Sequence, residues 1–305
     1  MQCLKRILYE FLGSFLFSLN ERDLVFIGKF LGKIMWVFLP KRKRVAIEQI
    51  KLHLGKEKKE ALNIAKKSFL NSGISFLELI MKRKVDYRFF ERIRFKNKEI
   101  LEKMISIDRP IVSVTAHIGS WELLGALVSL TFKERPIQIV VRHPKEEAFK
   151  EILMRFRSSY NVEIVPNKDS ALKILSCLKR KGIVAFLVDQ NCGKRWAIFI
   201  KFFKDFAAVN MGPALMAIRS NALVWPVFLL RDKDHYIFEN FEPLDVSTIK
   251  GDLKERIKKV AEFYTQHVEN IVKKYPDQWF WMHRRWKTRP PWEKIKNTKY
   301  LSKSS

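Results

Sequence analysis

Between residues 110 and 230 the sequence repeatedly switches between two periodicities, and that switching limits the folds open to it. Short apolar runs at 110–115, 137–141, 162–165, 182–188 and 223–230 alternate with helical stretches at 121–130, 148–160, 171–181 and 214–220. A run that is apolar on every residue needs cover on both faces, and strands joined through helices lie parallel. The pattern predicts an α/β fold with a mixed, largely parallel sheet flanked by helices. Residues 236–241 predict an added edge strand, and 253–274 a long amphipathic helix.

Ahead of this core, residues 45–83 have helical spacing, and two apolar stretches at 7–19 and 24–39 flank the polar Asn20-Glu21-Arg22-Asp23. A membrane-spanning helix needs about 20 mostly apolar residues. Glu10 interrupts the first stretch, and Lys29 and Lys33 the second. Both predict amphipathic helices lying on a membrane, with Lys41-Arg42-Lys43-Arg44 placed to meet anionic headgroups. The same runs would also suit a helical subdomain with a charged corner. No small-residue cleavage site follows, so a removed signal peptide is not expected. The division is then 1–44 for membrane-associating helices and 45–305 for the α/β domain.

Lys and Arg number 59 against 32 Asp and Glu, a net charge of +27, so an anionic partner is expected. Nucleic acid, an anionic leaflet and an acidic carrier protein all qualify. The 24 Phe and 8 Trp lie mostly in apolar runs and are not interleaved with Arg and Gly, which favours lipid over base stacking. With no Gly-rich clamp or RNP-like strand, nucleic acid is not the expected partner. Cys3, Cys177 and Cys192 show no paired spacing and the six histidines no ligand spacing, so neither disulfide, metal nor cofactor is expected, and the active part should face a reducing cytoplasm.

His117 closes the strand at 110–115, Gly119 permits a tight turn, and Ser120 can cap the helix starting at Trp121. Glu122, five positions on, lies in the first helical turn, where its carboxylate can reach back to hold one imidazole nitrogen. The other nitrogen is then a general base for an attacking alcohol, and unpaired N–H groups of the helix start could meet a developing oxyanion. The same residues would also make a plain helix cap. Arg142 stands at a strand end. Asp189 follows an apolar strand, where α/β sites gather, or else starts an Asx turn into Asn191-Cys192-Gly193.

His117-Ile118-Gly119-Ser120-Trp121-Glu122 resembles the H-x4-D/E block of the lysophospholipid acyltransferase superfamily, in the form found in bacterial lipid A late acyltransferases of the lauroyl/myristoyl type. Val141-Arg142, Val188-Asp189-Gln190-Asn191 and the stretch from Phe202 to Ala214 resemble further blocks in order. The tail Tyr275-Pro276-Asp277-Gln278-Trp279-Phe280-Trp281-Met282-His283-Arg284-Arg285-Trp286-Lys287-Thr288-Arg289-Pro290 is the most specific match.

The resemblance implies an O-acyltransferase taking its chain from an acyl carrier protein or CoA thioester to a hydroxyl of an anionic membrane glycolipid, a lipid A precursor, at the cytoplasmic face of the inner membrane. A glycerolipid or phosphatidylinositol mannoside is the alternative acceptor. It implies catalytic roles for His117, Glu122, Arg142 and Asp189, with Arg142 holding the tetrahedral intermediate or a donor phosphate. Substrate contacts are implied for Gly119, Trp121, Gln190, Arg284, Arg285 and Arg289. The three arginines lie among Trp279, Trp281, Trp286 and Trp292, a mixture expected at an interfacial belt, where they would bind an acceptor phosphate or else make cation–π contacts on the outside of the fold. Lys204 stands where glycine is usual and Val209 where threonine is usual, both expected beside the substrate pocket.

Overall fold

The apolar runs become strands of a single main sheet in a computed structural model, which describes residues 18–81, 87–141, 162–167 and 169–293. The strands are β1 (Ile93–Phe95), β2 (Ile111–Thr115), β3 (Ile137–Val141), β4 (Val162–Pro166), β5 (Ile183–Leu187), β6 (Ala197–Phe202), β7 (Asp205–Asn210), β8 (Leu223–Asp232), β9 (His235–Asn240) and β10 (Leu244–Asp245). The helices are α1 (Glu21–Phe38), α2 (Pro40–Leu54), α3 (Lys58–Met81), α4 (Tyr87–Glu91), α5 (Lys98–Ser106), α6 (Trp121–Thr131), α7 (Ala171–Lys179), α8 (Gly212–Ser220) and α9 (Leu253–Lys274). The expected stretch at 7–19, apart from its last two residues, and the helix at 148–160 lie outside the described residues.

The sheet runs β1-β9-β8-β2-β5-β3-β4, with β10 against β8. All pairings from β8 through β4 are parallel, and only β8–β9 and β8–β10 are antiparallel. Central β2 is buried along its whole length, Ser113 and Thr115 included, because both faces of the sheet are covered there. Its alternate residues feed two cores. Val112 and Val114 join Ala217 of α8 and Tyr264 of α9, while Ile111 joins Met104 of α5 and Leu127 of α6.

Two expectations change. The strand expected at the edge, β9, is internal, because the three-residue β1 pairs with it in parallel; a strand that short leaves no readable alternation. The stretch 197–210 is a separate β6–β7 hairpin turning at Phe203-Lys204, with Phe203 at φ 57° and its N–H donated to Glu269 Oε2 at 2.6 Å. Lys204 thus sits in a turn near Gly55, and Val209 is fully buried in the core.

α1 begins at Asn20, whose side chain accepts the Asp23 N–H at 2.9 Å. Its inner face is made by Leu24, Gly28 and Gly32, all buried, and packs on α3 at Gly73. Its outer face carries Phe26, Phe30, Ile34 and Val37, of which Phe26 is 72% and Val37 66% exposed. Among the described residues no helix is long and apolar enough to cross a membrane.

The α1–α3 contact is made by backbone against backbone. A Cβ on Gly73 would lie 2.1 Å from the Gly28 carbonyl oxygen and 2.6 Å from the Gly32 nitrogen. Gly73→Ala should therefore push α1 off α3 at a cost of about 1–3 kcal/mol. Thermal unfolding would show it as a lowered Tm, and an unchanged Tm would mean that the helices are free to separate.

Candidate active site

β2 and β5 pair in parallel with Thr115 opposite Leu187. Two residues past each strand end stand His117 and Asp189, so the register delivers them side by side at the carboxyl edge of the sheet. Asp189 Oδ1 lies 2.8 Å from His117 Nδ1, and Oδ2 accepts the His117 backbone N–H at 3.0 Å and the Trp279 indole N–H at 2.8 Å. On the other side of the ring, Gln190 Nε2 lies 3.1 Å from His117 Nε2. Because an ionised carboxylate only accepts, Nδ1 carries the ring proton, and Nε2 presents its lone pair to the Gln190 amide.

The Asp189 carboxyl is fully enclosed. Burial alone would push its pKa up; the His117 charge and the bonds from His117 and Trp279 outweigh that and bring it down to about 2. The role expected of Glu122, holding a ring nitrogen, thus falls to Asp189. Glu122 is half-buried in the first turn of α6, and its charge reaches the buried Glu78. A helical first turn points its side chains along its own surface, whereas β5 aims Asp189 straight at the imidazole.

The turn from His117 to Ser120 is held on every side. Gly119 adopts φ 59°, and a Cβ there would meet the Leu229 carbonyl oxygen of β8 at 2.3 Å, so glycine is required. Gly119 N donates to Gln278 O at 3.2 Å, Ser120 N to Leu229 O at 2.7 Å, and Phe280 N to His117 O at 3.0 Å. Ser120 does not cap α6 with its side chain; its hydroxyl donates instead to Glu78 Oε1 at 2.7 Å. Trp121 and Phe280 flank the imidazole, with ring centroids 5.5 and 6.3 Å away.

The C-terminal tail is structural to a degree its composition hides. Trp279, Trp281 and Trp286 are buried, and Trp292 alone of the four expected in an interfacial belt is exposed, at 62%. Arg285 is buried too: its Nη1 donates to Ala208 O at 2.6 Å and its guanidinium stacks over Phe202, which ties the loop to the hairpin and leaves no face for a lipid phosphate. Desolvation pulls its pKa down to about 10. Arg289 is paired with Glu293 and lies 3.5 Å from Asp205, and Arg284 is half-buried. His283, half-buried and held down near pKa 4 chiefly by desolvation, accepts the Asn191 N–H at 2.8 Å, and the Asn191 side chain pairs with Thr288.

Arg142 lies outside the described residues. Sequence reasoning found Asp189 and the tail separately, but missed that Trp279 and His283 of the tail hold the Asp189 loop. It also missed Glu78, although a carboxylate between Ile74, Leu77 and the buried serines of α3 was the signal available.

Such a histidine, with one nitrogen pinned by a buried carboxylate and the other accepting at the carboxyl edge of a parallel sheet, has the arrangement of a general base in an α/β enzyme. The chain belongs to the bacterial lipid A biosynthesis acyltransferase family, whose model matches residues 3–288. It is 23% identical over 273 residues to a lipid A biosynthesis palmitoleoyltransferase of Escherichia coli, covering 88% of this chain and 86% of that one. It is 25% identical over 270 residues to the lipid A biosynthesis lauroyltransferase of the same organism, covering 87% and 85%. A phosphatidylinositol mannoside acyltransferase of Mycolicibacterium smegmatis is 21% identical over 202 residues, covering 65% and 64%.

The low Asp189 value fixes a sign. Its folded pKa, about 2, lies below the ordinary 3.8, so its ionised form stabilises the fold above about pH 4 and that contribution fades as pH falls towards 2. Trp279→Phe removes one donor and should raise this pKa. Stability at neutral pH should drop by about 1.5–3 kcal/mol, and the loss between pH 4 and 2 should shrink. Urea unfolding across that range reads both; an acid profile identical to wild type would mean that the indole bond does not hold the carboxylate.

Proposed function

We propose that this acyltransferase moves a fatty acyl chain from the thioester of acyl carrier protein, or of CoA, to a hydroxyl of a lipid A precursor, with His117 as general base. The observation that carries this is the His117 ring, its Nδ1–H donating a hydrogen bond to Asp189 and its Nε2 lone pair open to any group that takes the place of the Gln190 amide. As the acceptor hydroxyl attacks the thioester carbonyl, Nε2 takes its proton and Asp189 stabilises the imidazolium. The tetrahedral intermediate then expels the thiolate, which receives that proton from Nε2.

The developing oxyanion needs donors. Gly119 and Ser120 N–H are spent on Gln278 and Leu229, so the role goes to the next amides of α6, whose position in the first turn gives them no carbonyl within the helix. Arg142, from sequence alone, is assigned to the tetrahedral intermediate or the donor phosphate. The charge of +27 suits an acidic carrier and a phosphorylated acceptor. The two Escherichia coli lipid A enzymes align with more of the chain than the Mycolicibacterium smegmatis phosphatidylinositol mannoside enzyme, 88% and 87% against 65%, which favours the lipid A acceptor.

The reaction takes place at a membrane surface, on its cytoplasmic face. Supporting this are the outward stripe of Phe26, Phe30 and Val37 on α1 and the basic residues opening α2. Replacing Phe26, Phe30 and Val37 together by Ser should lower the fraction bound to anionic vesicles at least tenfold, a loss that flotation would measure. Binding equal to wild type would move the contact to another surface.

General-base help is worth about 10²–10⁴ in rate, so His117→Ala should lose acyl transfer on that scale while staying folded. If Asp189 orients the ring, Asp189→Asn should cost more than Glu122→Gln; a base held by Glu122 predicts the reverse order. The measurement is transfer from labelled acyl carrier protein to a lipid A precursor, alongside circular dichroism. Near-normal transfer by folded His117→Ala would rule out the mechanism.

A further inference from the structure

Among the described residues, Glu78 is the one fully buried carboxylate beside the candidate site that the proposed chemistry does not use. It projects from α3 beneath the His117–Ser120 turn, and burial pushes its carboxyl pKa up while Arg231 and Ser120 oppose the rise. Its Oε1 accepts from Ser120 Oγ at 2.7 Å and Arg231 Nε at 2.9 Å, and its Oε2 lies 2.7 Å from Arg231 Nη2. The same Nη2 donates to Ser75 Oγ at 2.6 Å, and that hydroxyl lies 3.0 Å from the Gly119 carbonyl oxygen. Arg231 also exchanges two bonds of 2.9 Å with the Gln278 amide, and Gln278 O receives the Gly119 N–H.

We propose that Glu78 is a positioning residue for His117: with Arg231 it holds Ser120 and Gly119, and so fixes the turn that aims the imidazole. This rests on His117 being the base. The local alternative for Ser120, capping α6, is forgone, which fits a hydroxyl committed to alignment. An ion pair in such a place contributes little net stability, since its desolvation offsets its attraction. A gain in geometry is the reason left for it, and a misplacement of about 1 Å can cost about 10²-fold in rate.

The test uses the full chain in detergent micelles, with saturation kinetics for labelled acyl-acyl carrier protein and for a lipid A precursor. Ser120→Ala should lower kcat by about 10- to 100-fold with either KM changed less than about threefold. The paired Glu78→Leu, Arg231→Met replacement should stay folded, because apolar substitutes often match a buried ion pair in stability, and still lose kcat. Glu78→Gln, which keeps an acceptor for Ser120, should exceed Glu78→Leu in kcat at least tenfold.

A wild-type kcat in Ser120→Ala, or in the folded paired variant, would overturn the proposal. So would losses that follow the amount of folded protein alone. A second readout separates this from the acyl-transfer reading: the His117 Nδ1 proton resonance, assigned by its absence in His117→Ala, should shift or broaden in Ser120→Ala. A shift in a wild-type background that transfers no acyl chain would support the positioning role while removing the function. An unmoved resonance would overturn the positioning role whatever the activity.

Discussion

A carboxylate shut away from water is tolerated only where fixed donors meet its charge, and at Asp189 those donors come from distant parts of the chain. The His117 backbone and ring arrive from the end of β2, and the Trp279 indole from the tail after α9. The candidate site therefore exists only once the sheet has closed and the tail has returned across its carboxyl edge. The tail's burial follows from this. Trp279, Trp281 and Trp286 fill the space above the strand ends, while Arg285, His283 and Thr288 fix the loop from Gln190 to Asn191.

α3 is the element that everything around the turn shares. One side meets α1 through glycine contacts too close for any side chain. Another sends Ser68 to the Trp279 carbonyl, Asn71 to the Asp277 carbonyl, and Ser75 and Glu78 to the histidine turn. The exposed aromatic face of α1 and the imidazole are thus attached to one rigid helix. On the proposed reading, with His117 as the base and the outer face of α1 on a membrane, this fixes the height of the imidazole relative to that surface. Small residues at a helix crossing permit that rigidity because the backbones themselves are in contact.

Position in sequence proved a poor guide to solvent exposure where long-range packing intervenes. Arg285 lies in a run of charges and aromatics with the look of a surface belt, yet it is buried against backbone carbonyls. Its flat guanidinium can pair with carbonyl oxygens and stack on Phe202 at once, a combination open to Arg and not to Lys. Lys204 and Val209, read as pocket residues, serve a hairpin turn and the core.

The sequence by itself determined the alternation of strand and helix, hence the parallel core, and the strand-end positions of His117 and Asp189, because period and apolar run length are local properties. It determined α9 to the residue, and the amphipathic character of α1. It left β1 invisible, since three residues carry no period, and left the hairpin at 197–210 as a motif without a shape. Only the tertiary structure decided which carboxylate serves the histidine. Glu122 is five residues away and Asp189 is 72 away, yet the bond is to Asp189. Strand register is set by the packing of the whole sheet and not by neighbours along the chain, so closeness in sequence could suggest a partner for His117 but not choose it.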